Sequence, residues 1–79
     1  MTLEQALRIQ RELLLGSDCV QNGEPFLTYG IWVLPFSRAG AASEVFLIDT
    51  NIASEADYEK AKEEATDKLK QAIAGLKTT

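Results

Sequence analysis

The sequence predicts an α+β domain in the order α-β-β-α, an antiparallel β-hairpin packed with two helices. Three observations carry this reading. Apolar residues recur at helical spacing near the start of the chain and again from Tyr58 onward. Between them lie two runs, PFLTYGIWVLPF and SEVFLIDT, dense in aromatic and β-branched residues.

The first helix is placed from about Leu3 to Leu15. Thr2 and Gln5 fit a capping box, and Leu3, Ala6, Leu7, Ile9, Leu13 and Leu14 share one side, opposite Glu4, Gln5, Arg8, Arg11 and Glu12. Gly16 is the residue expected just past its end. The segment SDCVQNGEP reads as a loop with its strongest turn signal at Asn22-Gly23 and a strand beginning near Val20.

Phe26 to Leu34 reads as one strand with Pro25 and Pro35 at its limits, since proline is tolerated at strand ends. SRAGAA then supplies a hairpin connection to a second strand from about Ser43 to Asp49. Ser54 is an N-cap followed by Glu55 and Asp57 in the first turn, where the helix dipole favours negative charge. From there Tyr58, Ala61, Ala65, Leu69, Ala72, Ile73 and Leu76 form one apolar stripe.

Both strand runs are apolar on both faces, so something must cover the second face. Self-association is the favoured answer, with Tyr29, Ile31, Trp32, Val33 and Phe46 as the oligomer interface. A homodimer of this kind would either extend the hairpin to a four-stranded sheet or pack two copies face to face. The alternatives are a hairpin sandwiched between the two helices and a partner protein that uses the apolar strip.

The 79 residues make a single domain, 1–79, and a chain of this size buries only about 60% of its unfolded surface. The single cysteine, Cys19, points to a reducing compartment, and cytoplasm is the expected location. Charges within the first residues fit no secretory signal, and the longest apolar stretch, Gly30 to Phe36, is far short of the roughly 20 residues a bilayer span needs.

No catalytic residue, metal site or cofactor is expected. The chain has no histidine, and one cysteine cannot build a zinc site. DTNIASEADYEK begins like a calcium loop but has Ser54 where glycine is needed and Lys60 where a bidentate glutamate belongs. Cys19 has no neighbouring cation in the sequence to stabilise a thiolate, and the glycines are too scattered for a phosphate loop.

Charge is the distinctive feature. The net charge is −4, and Glu12 to Glu59 carries eight acidic residues against Arg38 alone. That distribution opposes direct nucleic-acid binding, which requires a basic stripe; double-stranded-RNA-binding and phage-integrase arm-binding domains share the element types but fail on charge. Glu24, Glu44, Asp49, Glu55, Asp57 and Glu59 are the candidate partner-binding residues, an acidic face suited to a protein with a basic groove.

In size, charge and lack of catalytic residues the chain resembles small acidic phage-encoded inhibitors of host defence, the anti-CRISPR proteins. The resemblance implies a non-enzymatic inhibitor in the host-cell cytoplasm, with a CRISPR effector complex as the partner. The alternative is a small structural or regulatory homo-oligomer of the assembly or antitoxin type.

Overall fold

The computed structural model describes residues 1–76. The chain runs α1 (Leu3–Leu14), β1 (Cys19–Gln21), β2 (Phe26–Thr28), β3 (Ile31–Arg38), β4 (Ala41–Ile48) and α2 (Glu55–Leu76). The fold is α+β, with four antiparallel strands and not two. All four come from one chain.

Two turns explain the extra strand. Tyr29-Gly30 separates the paired residues Thr28 and Ile31, and Ala39-Gly40 separates Arg38 and Ala41. All four turn residues have positive φ (50° and 73°, 51° and 84°), the two-residue hairpin geometry whose twist matches that of the flanking strands. The Phe26 to Leu34 run is therefore split by a reversal at its middle, because the second turn residue, glycine, takes positive φ without a Cβ clash.

Strand β4 pairs with β3 along its whole length, while β1 and β2 both pair with β3 as well. A strand has two edges, so β1 and β2 lie end to end on the second one. They are interrupted at residues 22–25, opposite Leu34 and Pro35. Pro35 thus sits inside the central strand, not at a strand end. Its carbonyl accepts from the Asn22 N–H at 3.4 Å, which places its missing N–H on the same, interrupted side, where no ladder bond is lost.

Both helices pack on one face. Trp32, Leu34 and Phe36 of β3 and Val45 and Leu47 of β4 form one buried cluster with Ala6, Ile9, Leu13, Tyr58, Ala61, Ala65 and Leu69. Helix α1 lies over β1 and β3, and α2 lies over β4 and along α1. The hairpin is not sandwiched between helices. The capping box at Thr2 and Gln5 is present, and the apolar stripe of α2 faces the core as the periodicity predicts. Among the described residues no helix is long and apolar enough to cross a membrane.

Candidate functional site

Two surfaces stand out, the outer face of the sheet and the exposed side of α2. Ladder partners share a face, so the outer face carries the rows Phe26–Val33–Phe46 and Thr28–Ile31–Ile48. Phe26 is 48% exposed, Phe46 50% and Ile48 62%, whereas Val33, between the two phenylalanines, is buried. Pro35 and Glu44 form the next row, and Glu44 is its one charged side chain.

Of the residues expected at an oligomer interface, Ile31, Val33 and Phe46 lie together on this face. Tyr29 stands fully exposed at the β2–β3 turn. Trp32 points the other way, into the core, where its indole N–H donates to Asp49 at 3.0 Å. Phe26 and Ile48 belong to the face but escaped sequence reasoning. Only the registers, fixed by the Tyr29-Gly30 turn for Phe26 and the Ala39-Gly40 turn for Ile48, show that they flank Ile31 and Val33.

The six candidate carboxylates do not form a single face. Glu44 lies on the outer sheet face, while Glu55, Asp57 and Glu59 belong to the helix layer on the opposite side. Glu24 is exposed in the 22–25 interruption. Asp49 is engaged internally: it accepts from the Met1 amine and from Trp32, each at 3.0 Å, and these bonds, the amine's first, hold its carboxyl below the ordinary range. Asp57 is a cap, accepting from the Ala53 N–H at 3.2 Å while its own N–H donates to Ser54 Oγ at 3.2 Å.

Glu55 and Glu59 belong to a different arrangement. With Glu63 and Asp67 they recur every four residues along the exposed side of α2, a ridge about 18 Å long at the helical rise. Like charges four apart oppose helix formation by a few tenths of a kcal/mol per pair. Lys62 and Lys70 border the ridge, and Lys62 is drawn to Glu59 and to Glu12, each at 3.4 Å. The spacing of Glu63 and Asp67 was readable in the sequence.

Between the helices lies a polar network. Tyr58 is buried and donates its hydroxyl to Glu12; the Arg8 guanidinium stacks 3.9 Å from the Tyr58 ring centre. Arg8 also bonds Glu12 at 2.9 Å and Glu55 at 3.3 Å. The Tyr58 hydrogen bond is the main force lowering the Glu12 carboxyl, with Arg8 and Lys62 adding to it against partial burial. Burial, reinforced by the Glu12 charge, pushes the Tyr58 hydroxyl well above its ordinary range. A helical wheel placed Arg8 and Glu12 on the polar side of the first helix, which is true of α1 alone; α2 packs alongside and makes that side an interface.

The remaining cation of the sheet, Arg38, pairs with Asp18 at 2.8 Å. No group of three or more His, Cys, Asp or Glu side chains is arranged to hold a metal ion among the described residues. The chain matches no protein-family model, no curated protein and no solved structure. Its fold and surfaces define a two-layer α+β domain with one bare apolar sheet face and one acidic helix ridge.

Proposed function

We propose that the protein is a non-enzymatic inhibitor that docks on a basic, nucleic-acid-handling protein surface, in the manner of the anti-CRISPR proteins it resembles, in the cytoplasm of a host cell. The observation that carries this reading is the ridge of Glu55, Glu59, Glu63 and Asp67. Four carboxylates about 6 Å apart along a rigid helix, winding about a third of a turn around it, offer the regular charge spacing that a phosphate-binding groove is built to meet, Glu55 exchanging its bond to Arg8 for the partner. The like-charge pairs along the ridge oppose the helix by a few tenths of a kcal/mol each, offset in part by Lys62 and Arg8.

The test uses a purified CRISPR effector complex that retards its target DNA in a gel. Adding the chain should abolish retardation, and inhibition should weaken as salt rises and the Debye length falls below about 10 Å. The double reversal Glu59→Lys, Glu63→Lys should restore DNA binding while leaving the fold intact, because exposed substitutions usually change stability by about 0.5 kcal/mol or less. DNA binding by the chain itself, or inhibition that survives the reversal, would sink the acidic-ridge mechanism.

A second reading, a structural or regulatory homo-oligomer, is favoured by the bare sheet face. A tight self-assembly that ignores every basic partner would support it over inhibition.

A further inference from the structure

We infer that the outer face of the sheet is the interface of a homodimer, two copies of the chain stacked sheet on sheet with their helix layers outward. The inference rests on the strand register and does not depend on the reading of the acidic ridge.

The face has the composition of a self-association surface. Interfaces between partners that also exist apart are about as polar as the rest of a protein surface, whereas homodimer interfaces are more apolar and poor in charge. Here Phe26, Ile31, Phe46 and Ile48 surround Val33, and Glu44 is the one charged residue.

The area fits as well. From the fractional exposures of Phe26, Ile31, Phe46 and Ile48 the apolar surface of the face is on the order of 400 Å², within the range of the largest patch on a monomer, which is often a functional one. Two such faces supply on the order of 800 Å² of apolar contact, the size of a weak, concentration-dependent dimer. A chain of 79 residues has little core of its own, and stacking two sheets about 10 Å apart supplies a second one.

The edges of the sheet argue against the other mode, side-by-side pairing of strands. One edge is broken at residues 22–25 between β1 and β2. On the other, Lys68 of α2 donates to the Phe46 carbonyl at 2.8 Å, so a lysine occupies an edge-facing acceptor of β4. Face-to-face contact needs neither edge.

Charge selects the symmetry. A two-fold axis lying between the sheets and perpendicular to the strands, over the Phe26–Val33–Phe46 row, sends Glu44 of one copy to the Ile48 end of the other. The two Glu44 positions then lie about 13 Å apart along the strands, and each carboxylate reaches water past the edge strand β4. An axis along the strands would bring both Glu44 residues to the same end.

Adjacent residues supply the test, because Phe26 and Leu27 are almost equally exposed, 48% and 49%, yet point to opposite faces. Light scattering on the full chain at high micromolar concentration should give twice the chain mass of 8.7 kDa. Phe26→Lys and Phe46→Lys should halve that mass, and Leu27→Lys should leave it unchanged. Should a lysine variant fail to fold, the wild-type dimer provides a second measurement: isotope-filtered NMR on mixed labelled and unlabelled chains should show intermolecular contacts from Phe26 and Phe46 rings to Ile31 and Ile48 methyls. A wild-type monomer, a dimer that Leu27→Lys dissociates and Phe46→Lys does not, or intermolecular contacts confined to the helices or the β4 edge would overturn the inference.

Discussion

The side-chain amide of Gln10 donates to the Pro35 carbonyl at 2.9 Å and to the Gly23 carbonyl at 3.1 Å, tying α1 to the interrupted edge of the sheet. Gln10 is 2% exposed, a buried amide among Ile9, Leu13 and Phe36. Around the four-residue gap the Pro35 carbonyl has only a long bond from the Asn22 N–H, 3.4 Å, and the Gly23 carbonyl one from the Gln21 side chain, 3.2 Å; the Gln10 amide adds a second donor to each.

Gln10→Leu should therefore destabilise the protein although it adds apolar volume to the core. The substitution removes two hydrogen bonds while each carbonyl keeps a second donor, so a loss of about 1 kcal/mol is expected in urea unfolding, the net worth of such bonds. Gln10→Glu should cost at least as much while ionised, since it sets an acceptor against two acceptors. An unchanged midpoint for Gln10→Leu would show that the Asn22 N–H and the Gln21 amide satisfy the two carbonyls by themselves.

Asp49 should make stability fall in acid. Its folded-state carboxyl lies below the ordinary value of 3.8, held there first by the Met1 amine and then by the Trp32 indole. The unfolded chain binds the proton more readily, so this stabilisation is complete above about pH 5 and is lost as pH falls through the depressed value. Glu12, also depressed, acts in the same window through its bond from Tyr58. Urea midpoints measured by Trp32 fluorescence should fall below pH 5 in the wild type and fall less steeply in Asp49→Asn, the remaining slope belonging to Glu12. Identical profiles for the two proteins would rule Asp49 out as a source of the acid dependence.

Tyr29 should be a site where substitution stabilises. It is fully exposed with φ of 50°, a conformation costly for a bulky residue and well suited to asparagine. Tyr29→Asn should raise stability by up to about 1 kcal/mol in thermal unfolding, through an Asn-Gly turn that matches the hairpin. A loss of stability would mean that the ring packs on something in solution, as it would at the rim of the stacked sheets.

The helices were legible because each is specified locally. Thr2 and Gln5 close a cap within one turn, Ser54 does the same, and the Tyr58 to Leu76 stripe reads off a single wheel. The strands were not, because their signals compete. Tyr29-Gly30 is buried in an aromatic run that reads as continuous strand, and Pro35 looks like a terminator unless the gap opposite it is known. Candidate sites inherited the same error. Trp32 was grouped with Ile31 and Val33 by composition, yet alternation sends it to the opposite face. The sequence groups the acidic residues by charge density, and contacts from Met1 to Asp49 and from Arg8 to Glu55, 48 and 47 positions away, decide which of them are already engaged.

The sequence places Asp57 among the candidate binding carboxylates, and its geometry predicts a different outcome from Glu59. Ser54 Oγ accepts from the Asp57 N–H while the Asp57 carboxylate accepts from the Ala53 N–H, so two residues close the same end of α2 reciprocally. Ser54→Ala should cost about 1 kcal/mol, and Asp57→Ala a similar amount. Because the two side chains hold one structure, either loss should loosen the other's bond, and the double variant should cost less than the two single costs added together. A shortfall of about 0.5 kcal/mol or more in a double-mutant cycle of urea midpoints is the expected result. Asp57→Lys should be worse than Asp57→Ala, since it places a cation at the positive end of the helix dipole. Strict additivity would mean that Ser54 and Asp57 bond their partners independently, and an unchanged midpoint for Ser54→Ala would place the start of the helix elsewhere.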